Sequence, residues 1–168
     1  MPPKALVDLA TVDLEKVELT HEQIYGGAII PHDFEFALLS GINKLDFERG
    51  HGVGWKDVRG DEFWCRGHFP GYPVLPGVLI VEAAAQLSVV YYRLSVGKGA
   101  KGTFFFGGID EVKFREAVHP GTRLFLVCTP EELKVRRSRF KCQAIVDGRV
   151  AYEGTITGIL GPEGPTTS

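Results

Sequence analysis

The chain of 168 residues has the length of one ordinary domain, and 44% hydrophobic with 24% charged residues is the composition of a protein that folds by burial, not of a disordered or disulfide-dense one. A formal charge of -2 gives no overall pull toward nucleic acid or an anionic membrane, so nucleic acid is not an expected partner and electrostatic docking must rest on a local patch. Three cysteines, Cys65, Cys128 and Cys142, without Cys-x-x-Cys spacing argue against a zinc ribbon or a disulfide framework and for a reducing, cytoplasmic setting.

The first eighteen residues carry four acidic side chains and lack a basic start followed by a continuous apolar region, so they read as an N-terminal extension (residues 1–18) and not as an export signal. Thr20, with Gln23 three residues on, has the form of a capping box for a short helix that Gly26 and Gly27 end. From Phe36 to about Cys65, stretches such as ALLSGINKLDF and EFWCRGHF, broken by glycine-containing turns, predict strands. Pro76 and Gly77 then introduce one long helix from Val78 to about Leu94, rich in Ala, Leu and Val and free of Gly and Pro. Its apolar residues cover nearly the whole circumference, so other elements must wrap it on most sides. Glu82 and Gln86 in its middle, and its short length, make it a buried helix and not a membrane span. FFFGGIDEVKF, RLFLVCTPEEL, RRSRFKCQAIV and RVAYEGTITGIL, punctuated by His119-Pro120-Gly121 and Asp147-Gly148, predict the sheet that does the wrapping. Residues 161–168 have nothing apolar to pack and are expected to form a flexible tail, which leaves residues 19–160 as a single domain.

Chemistry concentrates in GHFPGYPVLPGVLIVEAAAQ, residues 67–86, where a histidine sits in a loop with three prolines and three glycines within eleven residues. Proline fixes φ and glycine lets a ligand approach the backbone, so the loop is shaped and presents His68 at a defined place. Glu82 and Gln86, four residues apart, share one helix face, where the amide can orient the carboxyl group. A carboxyl group among Val78, Ile80, Val81, Ala83 and Ala85 is short of water, which favours its protonated, acid form. Removal of water from a 3-hydroxyacyl thioester needs a base at C2, an acid at the C3 hydroxyl and donors for the thioester oxygen. His68 and Glu82 supply the first two, and backbone N–H groups near Gly77, at the positive end of the helix, supply the third. No metal and no organic cofactor is required.

The stretch is very close to the signature of the hotdog-fold 3-hydroxyacyl-acyl carrier protein dehydratases of the FabA/FabZ type, which the chain resembles through FFFGGIDEVKFREAVHPG and, more loosely, IIPHDFEFALL and the later strands, over residues 28–160. The resemblance implies an α+β hotdog fold, a long central helix wrapped by a curved antiparallel β-sheet. It implies homodimers that join their sheets, with the trimer of dimers as a further possibility, and sites at the dimer interface with the catalytic histidine at His68 of one subunit and the catalytic carboxylate at Glu82 of the other. Glutamate at the second position favours the FabZ branch. One departure stands out: where the family commonly reads FLLVDRV, this chain has FALLSGI, so Ser40 and Gly41 replace the Asp-Arg pair that supports the site.

Other readings of the same residues remain. Glu82 has as its alternative an ion pair with Arg93 or Arg115, and Gln86 divides between orienting Glu82 and capping a buried backbone group. Cys65 and His68 have the spacing of half a metal site, without a second ligand pair nearby. His21, His32, His51 and His119 read as turn or surface residues, of which only His32 lies in a family-like segment. The basic run Lys134, Arg136, Arg137, Arg139 and Lys141 reads as a solvated hairpin face, with Lys113, Arg115, Arg136 and Arg137 as the candidate docking patch for acidic acyl carrier protein. Phe104, Phe105 and Phe106 are chiefly core, with one of them able to line an acyl tunnel. A thioesterase of the same fold and a non-catalytic acyl-binding subunit are the competing functions.

Overall fold

The computed structural model describes residues 3–163, so the expected loose tail lies, from residue 164 on, outside the described residues. After a 3-10 turn at Leu9–Thr11 come a short strand β1 (Leu19–Thr20) and a single-turn helix α1 (His21–Ile24). The capping box is formed: the Thr20 hydroxyl accepts from the Gln23 N–H at 3.4 Å, and the Gln23 side chain accepts from the Thr20 N–H at 2.9 Å. Two strands follow, β2 (Gly41–Asp46) and β3 (His51–Asp57), then the long helix α2 (Gly77–Leu94) and four long strands, β4 (Phe104–Phe114), β5 (Arg123–Leu133), β6 (Arg137–Val146) and β7 (Arg149–Leu160). The predicted helix and the last four strands agree with these bounds to within a residue. EFWCRGHF does not form a strand. Its residues are turns in which Trp64 is buried and backbone carbonyls at 62 and 64 accept from Cys65, Gly67 and His68, a local folding that its aromatic content does not reveal.

The strands make one antiparallel sheet in the order β1-β2-β3-β5-β6-β7-β4. Register shifts in β2, β4 and β5 and between Ala144 and Ile145 mark bulges, which bend a sheet. Asp147 and Gly148 both take positive φ, 48° and 74°, as a two-residue β6–β7 hairpin requires. The sheet curls round α2, of which Ala83, Ala84, Leu87, Val90 and Tyr92 are wholly buried against Leu124, Leu126, Phe140 and Tyr152. By length and composition α2 would qualify as a membrane span, but 67% of it is buried inside the protein, so its apolar surface is spent on the sheet.

Alternation along β5 sends Leu124, Leu126 and Cys128 to this core and Phe125 and Val127 to the outer face. There the N-terminal extension lies as a strap, with Leu6, Val7, Leu9, Val12 and Leu14 against Val53, Val127 and Ile145. Its backbone is tied down by Gln143, which accepts from the Leu6 N–H at 2.8 Å and donates to the Lys4 carbonyl at 3.0 Å, and by Asn43, which donates to the Leu14 and Lys16 carbonyls.

The FALLSGI departure has a physical account. Gly41 faces Trp55 across the β2–β3 pair, and a Cβ at Gly41 would overlap the indole ring. The Arg123 guanidinium lies 5.3 Å from that ring and pairs with Asp57 at 2.7 Å, while Ser40 Oγ accepts from the Asp57 N–H at 2.9 Å. Trp55 therefore occupies the room that a side chain at position 41 would take, with the Asp57-Arg123 pair beside it.

Candidate active site

The Gly/Pro loop is held by its own backbone. The His68 N–H donates to the Trp64 carbonyl at 2.9 Å, Val74 N–H to the His68 carbonyl at 2.8 Å, and Leu75 N–H to Val118 at 2.8 Å. The His68 ring is stacked on Phe69 at 4.2 Å, and its Nδ1 lies 2.7 Å from the Val74 carbonyl. A carbonyl only accepts, so Nδ1 carries the proton and Nε2 the free lone pair, the form a general base needs. His68 opens into a cavity of about 530 Å³ that Gly77, Phe114 and Arg115 also line.

Gly77 and Val78 start α2 behind Pro76, which offers no side-chain cap, and neither N–H has a hydrogen-bond partner among the described residues. These are free donors at the positive end of an 18-residue helix, in the same cavity as His68. Glycine is needed at 77 because a Cβ would come within 2.7 Å of the Phe114 ring.

Glu82 is fixed differently. Gln86, wholly buried, donates from Nε2 to Glu82 Oε1 at 2.9 Å and to the Phe36 carbonyl at 2.8 Å, while its Oε1 accepts from Tyr25 OH at 2.6 Å and from Leu38 N–H at 3.2 Å. Tyr25 oxygen accepts from Leu39 N–H at 2.7 Å, so its proton is left for Gln86. That fixes the amide: Oε1 faces Tyr25, and Nε2 faces Glu82. Burial pushes the Tyr25 hydroxyl well above its ordinary value, so it stays a donor. Gln86 thus bonds the Glu82 carboxyl group and buried backbone groups at once. Glu82 pairs with neither Arg93 nor Arg115, and its side chain is 22% exposed, less sheltered than its apolar neighbours on the helix imply. It opens into a second cavity of about 400 Å³ lined by Val89, Phe104, Phe105, Phe106, Phe140 and Ile156.

Two histidines that read as turn residues belong here. His32 Nε2 is 3.3 Å from Glu82 Oε1, and its buried Nδ1 has no partner. Only its place in the IIPHDFEFALL segment hinted at this. His119 reaches the Pro73 carbonyl from Nδ1 at 3.0 Å and the Tyr72 hydroxyl from Nε2 at 3.4 Å, which ties the 118–121 turn to the loop carrying His68. No spacing signal pointed to it, because the link spans 46 residues of chain.

The metal alternative finds no support: Cys65 Sγ donates to the Arg59 carbonyl at 3.3 Å, and the described residues hold no cluster of metal-ligating side chains. The other two thiols are buried, Cys142 pushed up to about 12 by loss of water and Cys128 raised for the same reason, so neither is a ready nucleophile. Most of the basic residues are already paired. Glu132 holds Arg137 at 2.5 Å and Lys134 at 2.9 Å, Glu153 holds Arg115 at 2.5 Å and Lys113 at 3.9 Å, and Arg136 has no acidic partner among the described residues.

His68 and Glu82 do not meet within one chain. The cavities they line share no residue. They flank the same strand, the first at the Phe114 end of β4 and the second at its Phe104 end.

A long helix wrapped by one antiparallel sheet, with a histidine in a shaped loop and a carboxyl group on the helix, defines a protein of the hotdog class. A FabA-like domain model matches residues 30–155, and the chain belongs to that family. Among curated relatives, the 3-hydroxyacyl-acyl-carrier-protein dehydratases FabZ of Salmonella arizonae and Salmonella newport are each 42% identical over 130 residues, 76% of this chain and 85% of theirs. Among solved structures, the dehydratase heterocomplex ApeI:P from Xenorhabdus doucetiae aligns with a TM-score of 0.69 at 16% identity, over 85% of this chain and 91% of that one. A hypothetical thioesterase with coenzyme A from Streptococcus pneumoniae aligns at 0.55 and 15% identity, over 73% and 85%. At these identities the structural matches establish the fold, which dehydratases and thioesterases share.

Proposed function

We propose that the chain is a 3-hydroxyacyl-acyl carrier protein dehydratase, a hydro-lyase of acyl-chain biosynthesis, whose site is completed between two copies of the chain. The observation that carries this is the pair of independent fixtures just described, in a chain 42% identical to dehydratases: a His68 with a free Nε2 beside unpaired N–H groups, and a Glu82 held by Gln86 beside an apolar cavity. The thioester oxygen accepts from the N–H groups of Gly77 and Val78. His68 Nε2 takes the proton from C2, the electron pair of that bond becomes the C2=C3 double bond, and the C3–O bond breaks as the hydroxyl takes a proton from the Glu82 carboxyl group. Water and the trans-2-enoyl thioester leave, and the proton gained by His68 replaces the one Glu82 gave up.

Strand β4 supports completion by a second copy. It is a sheet edge eleven residues long, with Phe105, Phe106, Ile109 and Phe114 exposed by 41–53%, and such an edge is a ready template for pairing. Antiparallel pairing of two β4 strands about Ile109 sets the Phe104 end of one copy beside the Phe114 end of the other. The Glu82 cavity of one then adjoins the His68 cavity of its partner, and both aromatic rows are covered. Acyl carrier protein, which is acidic, would approach the mouth of the His68 cavity at Arg115, and antiparallel pairing of the β4 strands would bring Arg136 and Arg137 of the partner copy, which lie at the Phe104 end of its sheet, toward that mouth.

Incubation with a 3-hydroxyacyl thioester separates this reading from the thioesterase. Enoyl absorbance without free thiol is the expected result, and free thiol with 3-hydroxy acid would refute it. His68→Ala and Glu82→Gln should each lower dehydration by about 100-fold or more in a folded protein, in keeping with general acid/base catalysis. Unchanged rates in both variants would sink the mechanism, because they would remove these two residues from the chemistry.

A further inference from the structure

The cavity beside Glu82 runs along α2. Glu82, Ala85, Gln86, Val89 and Arg93 all line it, at the spacing of a single helix face. From Glu82 to Arg93 the helix advances about 16 Å at roughly 1.5 Å per residue. Between these ends the walls are apolar, chiefly Phe104, Phe106, Phe140 and Ile156.

The far end is firmly built. Arg93 donates from Nη1 to the Ala100 carbonyl at 2.7 Å and from Nη2 to the Gly102 carbonyl, and its guanidinium carbon lies 5.7 Å from the centre of the Tyr92 ring. Tyr92 is stacked on Phe104 at 3.9 Å and anchored by its hydroxyl to the Val135 carbonyl at 2.6 Å. No carboxylate pairs with Arg93 among the described residues, so backbone carbonyls and the Tyr92 ring hold its head while its stem lies along the cavity wall.

We infer that Arg93 is the end wall of the acyl cavity and sets the longest chain the site accepts, an inference that rests on reading this cavity as the acyl site. An extended chain gains about 1.2 Å per bond, as extended backbone gains roughly 3.6 Å over three. The distance from Glu82 to Arg93 therefore admits on the order of a dozen carbons beyond C3. The substrate class is a linear acyl thioester up to that length.

The test uses saturated S-acyl pantetheine thioesters of increasing length, which lack the 3-hydroxyl group and cannot be dehydrated, with binding measured by calorimetry on the full chain. For the wild-type protein, affinity should rise about fourfold per methylene until the chain meets Arg93, and then stop rising. Arg93→Ala should continue the rise over several further methylenes. Arg93→Met, which restores the volume of the stem without its hydrogen bonds, should return the wild-type limit. Identical length profiles for wild type and Arg93→Ala, or a limit in Arg93→Met unlike the wild type, would overturn the inference. Turnover of a 3-hydroxybutyryl thioester, too short to reach Arg93, is measured separately on the wild-type protein. Its absence from the wild type would refute the dehydratase reading, while the binding profiles would still decide the wall.

Discussion

Glu82 owes its orientation to a relay of buried groups that begins at Leu39. Leu39 N–H, Tyr25 hydroxyl, Gln86 amide and Glu82 carboxyl form one directed chain in which each donor has a single acceptor left to it. Gln86→Leu keeps the volume but leaves the Tyr25 hydroxyl and the Leu38 N–H buried without partners, a cost of about 1–3 kcal/mol. Thermal melting should show that loss, and kcat for dehydration should fall while KM changes little, because the carboxyl group is mispositioned and not removed. The matching fixture on His68, a single carbonyl at 2.7 Å, is equally local. Its loop depends in turn on His119, which holds Tyr72 and Pro73 from a distant turn.

At the scale of elements, strands β4 to β7, helix α2 and the capping box were legible because each carries a complete local signal: a period-two run, an apolar segment bounded by Pro and Leu, a Thr with its Gln. Strand β3 falls within the stretch expected to form strands but was not delimited, since HGVGWKD alternates glycines that exist to admit neighbours: a Cβ at Gly52 would press on Cys128, and one at Gly54 on the Gly41 carbonyl. The same logic explains Gly41, which looked like a defect in the family pattern and is the seat of the Trp55 ring. Gly41→Ala should cost about 1–3 kcal/mol by overpacking, read as a lowered melting temperature. The site was legible wherever its residues lie close in sequence, as in residues 67–86, and illegible where a histidine from elsewhere completes it, as with His32 and His119. The strap also escaped notice, because Leu6, Val7, Leu9, Val12 and Leu14 follow neither helical nor strand periodicity. Removing residues 1–14 should uncover Val53, Val127 and Ile145 on the outer face and lower the melting temperature while leaving the fold of the site intact, at about 1.5–3 kcal/mol for each large side chain newly exposed. An unchanged melting temperature would mean that the strap contributes no net stability.

The whole molecule is organised around strand β4. Its two ends border the two cavities, its outer edge is unpaired, and its exposed phenylalanines have no other cover among the described residues. On the proposed reading, one chain holds a base without its acid at one end and an acid without its base at the other, and two-fold pairing would resolve both deficits together. The most direct measurement is dehydration by a mixed dimer of His68→Ala and Glu82→Gln, verified by a mass difference between differently tagged chains. Each homodimer should be inactive, and the mixed dimer should recover up to half of the wild-type rate, because one of its two sites then has both wild-type residues. A verified mixed dimer that stays as inactive as its parents would contradict the shared site and place histidine and glutamate within one chain.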